Sequence, residues 1–316
     1  MLYLWELKKG QIMKKLLFSA LTIILLLPSV KAQQIPLYSQ YMLNGFLLNP
    51  GMAGSVNYIP IRLTARQQWT GIDGAPSTQA ISAHSSIMRQ KMGVGGYIFN
   101  DKFGPISQTG LQLSYAYHLQ LNREMKLGLG LSFKAFQLSL NESDLVVIDQ
   151  GDPSVTGATE STFVPDADFG AYLYTKKYNV GLAVTQLVQY KIKLGDTQIE
   201  SSNQTIRHYY LTGGYKFDIN QDFMVEPSLL FKATERTPMQ LDINAKVFYK
   251  KNYWLGFSYR TAQAAIVLIG FKVDKFILGY SFDYTFSNLK NYSTGSHEIL
   301  IGYNLGEGAN KGNSLI

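Results

Sequence analysis

The sequence predicts an all-β protein, a transmembrane antiparallel up-and-down β-barrel of about fourteen strands. Three observations carry that prediction. From Tyr58 onward, apolar and polar residues alternate with period two, which marks strands with two unlike faces. Short and long connections alternate along the chain, as they do between the two ends of a membrane barrel. Charged residues are only 16% of the 316, while apolar residues are 46% and aromatic residues 13%. Beyond the N-terminus, no run reaches the ~20 apolar residues of a spanning helix. The absence of Cys excludes a disulfide scaffold, a Cys-based zinc site, a thiol nucleophile and a lipidated-Cys anchor. Disorder and a coiled coil do not fit the apolar, Gly- and Tyr-rich composition.

The N-terminus reads as an export signal over 1–32. Met13-Lys14-Lys15 opens a basic region, Leu16 to Leu27 is an apolar run, and Val30-Lys31-Ala32 suits cleavage after Ala32. Residues 1–12 precede a better start at Met13 and are set aside as a mis-called start. Five lysines and one glutamate lie in 1–32. The remaining 24 basic and 21 acidic residues therefore carry only +3 of the formal +7. No basic cluster of the kind that marks a nucleic-acid surface remains.

Strands are expected near 58–69, 77–88, 92–101, 106–119, 124–138, 164–175, 178–188, 206–218, 222–233, 238–250, 252–261, 263–273, 275–286 and 296–305. The clearest alternation sets Phe276, Leu278, Tyr280, Phe282 and Tyr284 against Ile277, Gly279, Ser281, Asp283 and Thr285. Pro227 weakens the run around it, because proline removes a ladder donor. Connections after even-numbered strands are short; those at 139–163, 189–205 and 287–295 are long and should lie outside the cell. Trp69, Tyr117, Tyr249, Tyr253, Tyr284, Phe286 and Tyr303 fall near strand ends on the apolar face, where rings mark membrane interfaces. Asp149 to Asp152 reads as a plain turn rather than a cation loop. Residues 306–316 are Gly/Asn-rich and read as a mobile tail.

The inward parity collects Asp166, Asp168, Asp242, Asp283, Lys134, Lys246 and Arg260, which either line a channel or neutralise one another in a filled lumen. His84 and His118 share this face and are expected to be lumenal hydrogen-bonding groups. No nucleophile elbow, phosphate loop or dinucleotide fingerprint is present. His297-Glu298 begins like H-E-x-x-H, but position 301 is Ile. The expectation is no enzymatic activity, no cofactor and no metal.

Residues 33–57 are not strand-like and form a separate N-terminal periplasmic or plug-like segment ahead of a barrel over 58–305. Pro36 to Ser55 is apolar and aromatic, punctuated by Asn44-Gly45 and Asn49-Pro50-Gly51. It should begin on the periplasmic side. Tyr38, Tyr41, Phe46, Leu47 and Leu48 are costly to leave in water, so they should pack into the barrel mouth or against a partner, with the mouth favoured. Arg66 should face the lumen at the outer end of strand one, with Trp69 on the lipid-facing parity and Asp73-Gly74 in a tight turn.

Two motifs stand out here. The first, S-Q-Y-M-x-N-x-x-x-x-N-P-x-x-A-G-S, contains Ser39, Gln40, Tyr41, Asn49, Pro50 and Gly54. The second, R-Q-Q-W-x-G-I-x-G-A-P-x-T-Q, contains Arg66, Gln67, Gln68, Trp69, Gly71, Gly74, Pro76 and Thr78. Together they resemble the PorP/SprF family of Bacteroidetes, with Gly45 and Gly51 standing where bulkier or different residues are expected. The resemblance implies a non-enzymatic outer-membrane component of the type IX secretion and gliding-motility machinery. Its implied partners are the secretion ring, peptidoglycan-binding components, outer-membrane lipid and the C-terminal domain of a large secreted adhesin. The inward polar face keeps two other readings open: a diffusion channel or small-molecule transporter, and a soluble exported β-rich binding protein.

Overall fold

The computed structural model describes residues 38–88, 90–145, 157–192, 204–235 and 237–307. The expected export signal, the Asp149–Asp152 turn and the tail beyond 307 lie outside the described residues. Fifteen strands run β1 Ile59–Gln67, β2 Ser77–Ile87, β3 Met92–Phe103, β4 Ile106–Gln120, β5 Lys126–Asn141, β6 Thr159–Tyr174, β7 Tyr178–Thr185 and β8 His208–Tyr215. They continue with β9 Phe217–Asp218, β10 Phe223–Thr234, β11 Gln240–Tyr249, β12 Tyr253–Arg260, β13 Ala264–Val273, β14 Phe276–Thr285 and β15 Ser296–Leu305.

Each strand pairs antiparallel with its sequence neighbours, and β15 pairs back onto β1 from Ile59↔Leu305 to Gln67↔His297. That pairing closes the sheet into a barrel. β8 and β9 are two pieces of one stave, both paired with β10. The break at Lys216 lies across from Glu226 and Pro227, where proline has no N–H to offer the ladder. On its other side Pro227 pairs with Ala245 in β11, so the stave survives. The barrel therefore has fourteen staves, as the alternation predicts.

The alternation maps onto burial. In β11, Gln240, Asp242, Asn244, Lys246 and Phe248 are buried, while Ile243, Val247 and Tyr249 are exposed. The outward set around the barrel includes Leu63, Ile81, Leu113, Leu131, Leu211, Leu255, Ile269 and Ile299. An apolar surface of this extent belongs in lipid, not water. Trp69 departs from expectation. β1 ends at Gln67, and Trp69 sits in the following turn with φ +44° rather than on a lipid-facing strand position.

The inner face is less uniformly polar than its sequence suggests. Leu230, Phe248, Ile266, Leu268, Ile277 and Leu300 are also fully buried inside. They have a partner there, because the segment ahead of β1 occupies the lumen rather than resting at its mouth. That segment also runs opposite to the expected sense. Its first described residues lie at the level of the outer strand ends, and it descends to the periplasmic rim, where β1 begins.

Candidate functional site

The lumenal segment is built from three short 3-10 turns, Tyr41–Leu43, Gly45–Leu47 and Pro50–Met52. Asn49 caps the third by accepting the Gly51 N–H at 2.8 Å, and Pro50 supplies a preset φ at the first position. Tight turns bring Tyr41, Phe46, Leu47 and Leu48 out on different sides, and all four are buried. We call residues 38–56 the plug.

At the outer end the plug is held by charge. Arg66 on β1 pairs with Glu298 on β15 by register, and Asp283 on β14 points to the same face. The Arg66 guanidinium lies 2.6 Å from Asp283 and 3.3 Å from Glu298. It also donates to Ser39 Oγ at 2.7 Å, and Ser39 Oγ–H donates to Asp283 at 2.7 Å. The Ser39 and Gln40 backbone N–H groups donate to the two Glu298 oxygens at 2.7 and 3.0 Å. Arg260 extends the network, 3.0 Å from Asp242 and 3.7 Å from Asp283. Three carboxylates thus share two guanidiniums, and the plug's own backbone donors supply further satisfaction. Buried charges of this kind persist only when so paired.

Midway, Asn244 donates to the Tyr41 hydroxyl, and Asn44 donates to Ser82 Oγ at 3.1 Å. Phe46 lies against His84, with ring centroids 5.0 Å apart, and meets the Tyr97 ring edge-on. Leu43 and Met42 pack against the apolar patches of β10 to β15, which include Trp254 and Ile266. Tyr41 and Leu48 pack with Ala183, Tyr210 and Leu230.

Toward the periplasmic end the grip changes character. Asn49 donates to the carbonyls of Ala171 and Leu182 at 3.0 and 3.3 Å. His118 Nε2–H donates to Ala53 O at 2.7 Å, and the Tyr174 hydroxyl satisfies His118 Nδ1 at 3.0 Å. The Gly54 N–H donates to His84 Nδ1 at 3.1 Å. Around these bonds the wall is stripped to glycine. A Cβ on Gly93 would overlap Ala53, one on Gly130 would overlap Pro50 and Gly51, and one on Gly170 would overlap Asn49. Gly51 is required in turn, since its Cβ would stand 2.9 Å from the carbonyls of both Gly128 and Gly170. Gly45 would likewise crowd Met52 Sδ at 2.7 Å.

The two sequence motifs are thus partly joined. Ser39, Gln40 and Arg66 meet at the outer grip. Tyr41 sits in the middle, and Asn49, Pro50 and Gly54 lie in the lower cradle. Thr78 is the register partner of Arg66 on the adjacent β2, buried and donating to Asp101 at 2.6 Å. Gln67, Gln68, Trp69, Gly71, Gly74 and Pro76 stay outside the lumen and build the β1–β2 outer turn. There the Gln68 N–H donates to Pro76 O at 2.8 Å, with Gly71 at φ +102° and Gly74 at φ +70°. The turn is zipped to the β14–β15 loop through Thr70 N–H to Gly295 O, at 2.8 Å, and Trp69 N–H to Ser296 Oγ, at 3.1 Å.

Sequence reasoning missed Glu298 as a plug ligand, reading it only beside His297 as an incomplete metal motif. The two residues point to opposite faces, Glu298 buried inside and His297 outward against the Tyr280 hydroxyl. It also missed the glycine cradle. Its only signal was a set of inward-parity glycines recurring on neighbouring strands.

The family described as type IX secretion system membrane protein PorP/SprF matches residues 30–303. No curated protein matches the sequence. Among solved structures, the chain is similar to the CymD monoaromatic hydrocarbon channel at 11% identity and a TM-score of 0.49, over 87% of this chain and 94% of that one. It is similar to the toluene transporter TodX of Pseudomonas putida at 12% identity and 0.48, over 87% and 96%. Omp33 of Acinetobacter baumannii matches at 7% identity and 0.47, over 80% and 100%. The family match spans nearly the whole chain and both sequence motifs: this protein is a member of the PorP/SprF family of type IX secretion system membrane proteins.

Proposed function

We propose that this barrel is a non-enzymatic support of type IX secretion, needed to export a large adhesin or hold it at the cell surface, and that it does not act as an open conduit. One observation carries the reading: the plug is bonded to or packed against the wall all the way around the lumen, from Arg66 on β1 to Glu298 on β15. A barrel filled in this way offers its surfaces rather than its bore. The partners of the reading are the adhesin's C-terminal domain, the secretion ring and the peptidoglycan-binding components, with gliding as the cellular output. The export signal is cleaved after Ala32, which mass spectrometry of the mature N-terminus checks.

Deletion of the gene tests the proposal directly. Surface adhesin and gliding should both fall and return on complementation; intact secretion and display in the deletion strain sinks it. The channel reading rests on the charged inner wall. Purified wild-type barrel should be silent in planar bilayers, and steady ohmic conductance would restore that reading instead.

A further inference from the structure

The short turns at the periplasmic end carry an excess of positive charge that the plug and lumen do not use. Lys91, Lys176, Lys177, Lys250, Lys251 and Lys275 lie on four of these turns, Arg123 lies on a fifth, and Lys126 opens β5 beside it. The acidic residues on the same set of turns are Glu124, Asp222 and Asp274. Among the described residues, no carboxylate stands within ion-pair distance of any of the eight cations. The outer connections differ: their described residues Asp73, Glu142, Asp144 and Glu235 outnumber Lys191, Arg207 and Lys290.

Directly above these cations, on the lipid face, lies a belt of rings. Tyr215 meets Phe217 at 4.3 Å, Phe276 meets Tyr303 at 4.8 Å, and Phe223 meets Tyr249 at 5.2 Å. Lys250, on the turn that follows β11, sets its Nζ over the Tyr249 ring, 5.3 Å from the ring centre, which ties the cations to the belt. Aromatic rings mark the headgroup level of a bilayer. Cations just outside them stand at phosphate depth.

We propose that these residues form a collar that selects anionic phospholipid headgroups in the periplasmic leaflet. The distribution favours lipid over a protein partner. Cations on five of the six turns encircle the barrel, as a leaflet does, whereas a docked protein covers one sector. Each Lys or Arg near an anionic membrane surface adds an attraction large enough to bias the lipids beside it.

The test uses the full barrel reconstituted in phosphatidylcholine vesicles with spin-labelled phosphatidylglycerol or phosphatidylcholine as probe. The wild type should hold labelled phosphatidylglycerol at its surface about threefold or more over phosphatidylcholine. That preference should fade toward parity in about 0.5 M salt. A Lys176→Gln/Lys177→Gln/Lys250→Gln/Lys251→Gln variant, shown folded by heat-modifiable mobility, should lose most of it. A Lys102→Gln/Lys290→Gln variant at the outer end should keep it. Equal affinity of the wild type for both lipids overturns the proposal, as does full retention by the collar variant. Loss of a co-purifying acidic periplasmic protein from the collar variant, with lipid preference intact, overturns it in favour of a protein dock.

Discussion

The plug is held at its two ends by opposite means. At the outer end, long charged side chains reach in from the wall: Arg66, Asp283 and Glu298 converge on Ser39 and Gln40. At the periplasmic end the wall retreats: Gly93, Gly128 and Gly130 let the plug backbone lie directly on the strands. The first grip depends on charge balance and tolerates some displacement of flexible side chains. The second depends on shape and tolerates none, because the atoms that would collide are backbone. The comparison teaches that one segment can be located by electrostatics at one end and by the absence of side chains at the other.

Substitutions at Arg66, Gly130, His118 and Gly71 test this contrast. Arg66→Met leaves Asp283 and Glu298 buried with one cation fewer. It should cost about 3–5 kcal/mol, read from the urea midpoint of the folded barrel in vesicles. An unchanged midpoint would show that the outer grip contributes no stability. Adding Glu298→Gln to Arg66→Met should recover part of the loss, since the two groups are coupled.

Gly130→Val drives a side chain into Pro50 and Gly51 and should cost about 1–3 kcal/mol, and it should also unseat the plug enough to let ions pass in planar bilayers. Gly213→Ala is its control, because the nearest atom to that Cβ is an ordinary 3.9 Å away. Should both variants behave alike, the cradle is not a shape constraint.

His118→Phe removes the donor to Ala53 O and leaves the Tyr174 hydroxyl without its acceptor. About 1–2 kcal/mol is expected, seen as faster hydrogen exchange at the Gly54 amide. Protection equal to wild type there would separate the histidine from the plug.

Gly71→Ala strains the outer turn at φ +102°. The expected cost is about 1 kcal/mol, with protease nicking confined to the β1–β2 turn and the plug still protected. Coupled exposure of the plug would mean that the two motifs form one unit rather than two.

Much of the barrel is legible from residues alone, since parity is a local property. Gln240 to Lys246 reads as inward polar residues between outward apolar ones, and burial agrees at each position. The β14–β15 pair and the short turns are equally plain. The plug's interior position was not legible. Tyr38 to Ser55 announces itself as apolar and turn-rich, but those properties fit a mouth as well as a lumen. The apolar inward residues that receive it, such as Phe248 and Leu300, are spread over strands roughly two hundred residues or more away. Gly130 and Gly170 look like strand weaknesses until Pro50 and Asn49 are set against them.

Local patterning set which side of most strands meets lipid and how those strands connect; near 92–100 and 263–273, where both faces are apolar or Gly-rich, it did not. Period-two alternation and turn chemistry act between neighbours, so they need no knowledge of the whole. That the inward face grips a plug became visible in the closed sheet alone. Closure of β15 onto β1 and the register across fourteen staves bring Ser39, Arg66, Asp283 and Glu298 within hydrogen-bond reach. Those distances are set by the global circuit of the sheet, and no local pattern encodes them.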